Sequence, residues 1–161
     1  MKESKIWEII FVTYVFLLIF FVVVKFNGSI DDRIISIKEN RNLGIWNYNL
    51  IPLRSITPYL RNISDSYAYT NILGNIVSFV PLGFLIPITF KKYRNLLKTI
   101  LICVMSIIGI EIFQFIAMLG YLDIDDILLN TFGCIIGYFV YVGFRKLFSK
   151  NNYLFQNISD T

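Results

Sequence analysis

Histidine is absent from this chain, charge is scarce and cysteine occurs only twice, so several chemistries drop out before any motif is considered. Without imidazole there is no histidine metal ligand and no Ser-His or Cys-His nucleophilic pair, which removes most hydrolase mechanisms. Cys103 and Cys134 both fall inside apolar runs, where cysteine acts as a small packing residue, and no disulfide framework is implied. Only 16% of the 161 residues are charged, against roughly 25% in an average soluble domain, while 56% are hydrophobic and 17% aromatic. Such a chain is expected to meet lipid over much of its surface. Its net charge of +4 comes from basic residues lying between or beyond the apolar runs, the pattern of membrane orientation and not of nucleic-acid binding.

Four runs, about 6–26, 71–90, 96–119 and 127–148, are long enough to cross a bilayer, which takes about 20 apolar residues. The predicted fold is therefore all-α: a single membrane domain over 1–161, an integral membrane bundle of four transmembrane helices with a long extracytoplasmic loop, 27–70, between the first and second. After the first run come Val22, Val23, Val24, Lys25 and Phe26 and not the small residues of a cleavage site, so the run reads as an anchor. The loop carries Asp31, Asp32, Arg33, Lys38, Glu39 and Arg41, which cannot lie in hydrocarbon. Within it, Trp46 to Ile56 mixes aromatic, apolar and cationic residues, as expected of a segment lying in the interface or folding back onto the bundle. In the second span, Pro81 and Pro87 each lack a backbone donor and predict a kink, with Gly74 and Gly83 loosening it further. Gly133 and Gly137 form a Gly-x-x-x-Gly pair suited first to internal packing and second to a homodimer.

Lysine and arginine beside the spans set the orientation. Lys2 and Lys5, then Lys91, Lys92, Arg94 and Lys98, then Arg145, Lys146 and Lys150 fall on one side of a four-span layout. That places both termini in the cytoplasm and leaves the 27–70 loop and the Tyr121 to Asp126 turn outside.

An ionisable residue within a span is a functional-site hypothesis by default. Glu111 is such a residue, expected roughly 12 Å from the outer end of the third span, with Gln114 on the same face. The turn at Asp123, Asp125 and Asp126 brings three carboxylates to the start of the fourth span, where Asp125 or Asp126 can cap the helix, and Asn130 continues the polar stripe one turn inward. Asn71, Asn75 and Ser78 enter the second span from the same side, at depths that match. Three helices thus offer polar groups at one level near the outer face. Glu111 has a structural alternative, as a protonated group that only ties helices together.

Four ordered motifs carry a family likeness: Asn49-Leu-Ile-Pro-Leu-Arg-Ser-Ile56; Asn71-Ile-Leu-Gly-Asn75 leading to Phe79-Val-Pro-Leu-Gly-Phe-Leu85; Glu111-Ile-Phe-Gln114; and Asp123-Ile-Asp-Asp-Ile-Leu-Leu-Asn-Thr-Phe-Gly133. Together they resemble the VanZ-like family. The resemblance implies a multi-pass protein of the bacterial cytoplasmic membrane, related to one that gives low-level teicoplanin resistance, and it adds no established reaction. Its distinctive polar residues fall on Asn75, Glu111, Gln114, Asp123, Asp126 and Asn130. Some members carry an arginine just before the acidic motif, where this chain has Leu119-Gly-Tyr-Leu122; if that cation pairs with the acids, either Arg54 replaces it here or the site differs.

The leading expectation is a non-enzymatic protein whose outward-facing pocket of Asn75, Ser78, Glu111, Gln114, Asp123, Asp126, Asn130 and Arg54 binds a lipid-linked, lipophilic or lipoglycopeptide ligand, with the bilayer as its other partner and no nucleic acid. The alternative is an intramembrane enzyme acting on a phospho- or isoprenoid-lipid, with Glu111 as base. No cofactor is expected on the first reading; on the second, a divalent cation would sit on Asp123, Asp125 or Asp126. Transport is a third class, made less apt by the lack of inverted repeats.

Overall fold

Long apolar runs separated by polar turns fold as the hydropathy dictates. In the computed structural model, which describes residues 2–24, 29–61 and 66–159, the helices are α1 (Lys2–Val24), α2 (Ile30–Asn42), α3 (Ile56–Arg61), α4 (Ser66–Thr89), α5 (Leu96–Ile116) and α6 (Ile124–Ser159). A 3-10 turn occupies Lys91–Tyr93, and two short strands, β1 (Tyr48–Asn49) and β2 (Leu122–Asp123), pair in parallel with Tyr48 opposite Leu122 and Asn49 opposite Asp123.

Among the described residues three helices are long and apolar enough to cross a membrane, over Thr70–Thr89, Leu96–Ile116 and Ile124–Phe148. The expected first span, 6–26, coincides with α1 as far as Val24, and residues 25–26 lie outside the described residues. The outer face of α5 presents Leu97, Leu101, Met105, Ile108, Ile112 and Ile116, all exposed and spaced at helical intervals. An apolar stripe of that length left open to solvent suits lipid.

The packing centre is α4. Tyr14 on α1 donates its hydroxyl to the Ser78 carbonyl at 2.7 Å, and the Trp7 ring meets Phe84 and Phe144 edge-on, so α1 runs antiparallel to α4. On its other side α4 lies parallel to α6 at backbone contact. A Cβ added at Gly133 would stand 2.1 Å from the Ile76 carbonyl oxygen, one at Gly137 would stand 1.9 Å from that of Val80, and one at Gly83 would stand 2.0 Å from that of Cys134. The Gly-x-x-x-Gly pair is therefore filled by α4 within the chain, which leaves it closed to a second copy. Gly83, expected to loosen α4, instead lets it close on α6. The core beneath this seam holds Leu18, Phe79, Leu82, Ile86 and Ile107 with both cysteines, which are free and fully buried.

The ends of the elements differ from the sequence expectation for reasons of backbone chemistry. The loop predicted over 27–70 is instead folded, containing α2, β1, α3 and the first turn of α4. Ser29 caps α2 by accepting from the Asp32 N–H at 3.0 Å. The third span stops at Ile116 and not at 119, because Met118 takes a left-handed conformation (φ 57) and Leu119 N–H turns back to the Gln114 carbonyl at 2.9 Å. That reversal is the Schellman closure of a helix end. The last helix starts at Ile124, three residues before the expected 127, and its amino cap is Asp123, whose Oδ1 accepts from the Asp125 N–H at 2.9 Å. Capping by Asp125 or Asp126 is thereby corrected.

Candidate functional site

At the end of the bundle where α4 and α6 begin and α5 stops, the polar side chains surround a cavity of about 530 Å³. Its wall is assembled from five segments distant in sequence: β1 with the loop that follows it, α4, α5, β2 and α6. What brings them together is a set of hydrogen bonds from the segment between α2 and α4 onto the ends of the long helices.

Arg41, in the last turn of α2, donates from Nη2 to the Phe115 carbonyl at 2.7 Å and from Nε to Asn47 Oδ1 at 2.8 Å. Its guanidinium stands 5.4 Å from the Trp46 ring centre and 4.8 Å from that of Phe115. A cation at the carboxyl end of α5 meets orphan carbonyls and the negative end of the helix dipole. Asn47, buried, passes the connection on by donating to the Gly120 carbonyl at 2.6 Å, and its own carbonyl accepts from Leu122 N–H at 3.1 Å. Arg33 adds a donation to the Leu119 carbonyl at 2.5 Å.

The rim of the cavity is a turn held by two aspartates. Asp125 is fully buried, and its carboxylate accepts from the backbone N–H groups of Leu53 (2.6 Å), Ser55 (2.8 Å) and Ile56 (3.3 Å). Asp123 accepts from Asn49 Nδ2 at 2.9 Å and from the Ser55 hydroxyl, and Asn49 Nδ2 also reaches Ser55 Oγ at 3.0 Å. Leu53 adopts φ 65, with Arg54 N–H bonded to the Ile51 carbonyl at 3.3 Å, so Ile51 to Arg54 form a turn with Pro52 second and a left-handed residue third. The segment expected either to lie in the interface or to fold back does the latter.

Deeper in the wall, Asn75 Nδ2 donates to Asp126 Oδ1 at 2.5 Å, joining α4 to α6. Glu111, 3% exposed, receives the Asp123 N–H at Oε2 over 3.4 Å, which ties α5 to β2. Because α5 stops at Ile116, Glu111 lies about 7.5 Å from the helix end and not about 12 Å. Asn130 is also 3% exposed, and its Oδ1 is buried with no hydrogen-bond partner among the described residues.

Of the residues singled out in the sequence, Asn75, Glu111, Gln114, Asp123, Asp126, Asn130 and Arg54 all line this one cavity. Ser78 does not line it. Three residues of helix turn the side chain about 60° from Asn75, and the Ser78 backbone carbonyl accepts from Tyr14 on α1. Arg54 is exposed at the rim, and among the described residues its guanidinium has no acceptor, so it does not replace the family's arginine as a direct partner of the acids. For the divalent-cation alternative, Asp123 and Asp125 are engaged by the rim turn, and among the described residues no three His, Cys, Asp or Glu side chains are grouped to hold a metal. Sequence reasoning missed Arg41 and Asn47, which carry no signal beyond polarity. It left Asn49 and Ser55 as parts of a motif without a role.

The family model described as VanZ/LLP1 matches residues 11–148. Among curated proteins, Protein VanZ of Enterococcus faecium is 31% identical over 99 residues, which are 62% of this chain and 58% of that relative, so the chain spans less than two thirds of the relative's length. No solved structure matches this chain.

Proposed function

This chain belongs to the VanZ/LLP1 family, whose match takes in most of its length, and from that membership we propose that it is a multi-pass protein of the bacterial cytoplasmic membrane, with α1 as a fourth span, that holds a lipid-linked or lipophilic ligand in an outward-facing polar cavity and contributes to teicoplanin resistance. Likeness to Protein VanZ supports the resistance role. The observation that carries the ligand reading is the cavity itself: a space of about 530 Å³ lined by both polar and apolar groups at one end of three apolar helices, rimmed by the exposed Trp46 and Tyr48. Polar groups at that depth are costly unless water or a ligand occupies the space between them. An amphiphile has the complementary form, with a head for the carboxylates and amides and chains for the surrounding lipid.

Orientation rests on charge. Lys91, Lys92, Arg94 and Lys98 gather around the turn between α4 and α5, and Arg145 and Lys146 lie towards the far end of the apolar part of α6, so these six basic groups, which directly flank the apolar helices, occupy the end of the bundle opposite the cavity. Basic flanks are retained in the cytoplasm, which puts both termini there and opens the cavity to the outer leaflet.

The test is susceptibility to teicoplanin in cells carrying Glu111→Gln or Asp126→Asn, with membrane levels matched to the parent. Both variants keep the shape of the side chain and change its charge, so protection is expected to be lost. Full protection by both would remove the cavity from the resistance role.

A further inference from the structure

We propose that the cavity receives an uncharged, hydroxyl-rich head group, the sugar ring of a glycolipid, with one of its hydroxyls donating to Asn130 Oδ1; this rests on reading the cavity as the site of a lipid ligand. The Asn130 side chain is 3% exposed and lines the cavity, and among the described residues no donor reaches its buried Oδ1. Buried acceptors in native proteins are satisfied by protein, water or ligand, and the exceptions require an explanation. A ligand that brings a donor supplies what is missing. A hydroxyl does so without net charge, so it leaves water at a far lower cost than an ammonium, and it also accepts from amides.

The rest of the wall indicates what carries that hydroxyl. Each of its three long helices sets an apolar lining side chain beside a polar one: Phe79 one turn after Asn75 on α4, Ile110 before Glu111 on α5, Leu129 before Asn130 on α6. A metal ion asks for a shell of oxygens alone, and among the described residues no three acidic or thiol groups converge as ligands. An acyl chain asks for apolar groups alone and would leave Asn130 Oδ1 unsatisfied. A sugar ring answers both kinds of group, since its C–H faces are apolar and its edge is a row of hydroxyls.

The mouth is built for the same ligand. Trp46, Tyr48 and Tyr121 line the cavity while at least half exposed, which puts three aromatic rings where the space opens. Such rings pack on the C–H face of a sugar and sit where lipid meets water, so the acyl chains would leave past them into the bilayer. The volume of about 530 Å³ falls in the range of about 300–1,000 Å³ usual for small-molecule sites.

The experiment is thermal unfolding of the full chain in lauryldimethylamine oxide, a detergent whose head has no hydroxyl, titrated with octyl β-glucoside. Octylphosphocholine, with the same chain and no donor, octylamine, with the same chain and N–H donors on a cation, and methyl β-glucoside, with the same head and no long chain, serve as the other arms. Octyl glucoside is expected to raise the unfolding temperature saturably, octylphosphocholine and octylamine are expected not to, and methyl glucoside should need a concentration at least about tenfold higher. Four analogues of octyl glucoside, each lacking one hydroxyl, locate the bond. At least one should bind the parent about tenfold more weakly, and that loss should vanish in Asn130→Leu. If Asn130→Leu does not fold, the parent decides alone, because equal binding of all four analogues overturns the assignment. No saturable rise with octyl glucoside, an equal rise with octylphosphocholine, a larger one with octylamine, or a hydroxyl dependence that persists in full in Asn130→Leu overturns it as well. Methyl glucoside binding as tightly as octyl glucoside overturns the lipid part of it. Should the glucoside fail while Glu111→Gln and Asp126→Asn still abolish teicoplanin protection, the head-group assignment falls alone. Should it bind as expected while those variants protect, the resistance role falls and this inference stands.

Discussion

Replacing Gly137 by alanine puts the seam between α4 and α6 under direct test. The added Cβ would stand 1.9 Å from the Val80 carbonyl oxygen and 2.9 Å from the Phe84 nitrogen, both backbone atoms that no rotamer change can move. To restore an ordinary contact near 3.4 Å the helices must part by about 1.5 Å, and the side chains on both sides then lose much of their dispersion contact. Overpacking of this kind costs about 1–3 kcal/mol and more where backbone must shift, so a loss of about 3 kcal/mol is expected. The same parting stretches the Asn75 to Asp126 bond, now 2.5 Å, which crosses the same pair of helices. Gly109→Ala provides the opposite sign: nothing lies within 4 Å of a Cβ there, and alanine favours a helix over glycine by about 1 kcal/mol. Unfolding temperatures of the two variants in one detergent should therefore fall on opposite sides of the parent. If Gly137→Ala unfolds with the parent, the backbone contact does not exist and neither does the placement of α4 that builds the cavity.

The rim makes further claims. Asp125→Asn turns one of two accepting oxygens into a donor that faces backbone N–H groups, and is expected to cost about 3 kcal/mol and speed proteolysis within the Asn49 to Ile56 segment; unchanged cleavage would deny the role. Leu53→Gly should be about 1 kcal/mol more stable than Leu53→Ala, because alanine keeps the strain of φ 65 and glycine relieves it, and chemical denaturation of the pair would read the difference. Arg41→Lys keeps the charge and loses the fork and the stacking, so about 2 kcal/mol and a shift in Trp46 fluorescence are expected, measured with Trp7→Phe as background. Identical emission from parent and variant would count against the stacked arrangement.

The long helices were legible because hydropathy records what lipid requires, and the cavity residues were legible because ionisable and amide groups are rare in such runs. Helix ends were not. Ala117, Met118 and Leu119 continue the apolar run beyond α5, and the left-handed turn falls on methionine where glycine would have announced it. The turn at Ile51 to Arg54 hides in the same way, with leucine at its left-handed position. Depth estimates inherited these errors: Glu111 is nearer its helix end than expected, and Asn75 is farther from its own, since α4 begins at Ser66. The residues meet all the same, because the chain after α5 folds back to place Asp123 N–H on Glu111. The family motif at Asn49 to Ile56 marked a segment of interest, but its partners Asp123 and Asp125 lie some 70 residues away, and no local pattern reports such a pairing.

The acidic motif divides by helix geometry. Asp125 and Asp126 are neighbours in sequence and about 100° apart around α6, so one faces the rim turn and the other faces Asn75 across the seam with α4. Asp123, just before the helix, caps it and holds Asn49 and Ser55. At Asp123 and Asp125 the hydrogen bonds come from neutral donors: backbone N–H groups, an amide, a hydroxyl. A lysine or arginine in those places would cancel the charge locally. At Asp123 and Asp125, neutral donors and the positive end of α6 make the carboxylates tolerable while they hold the rim turn in place.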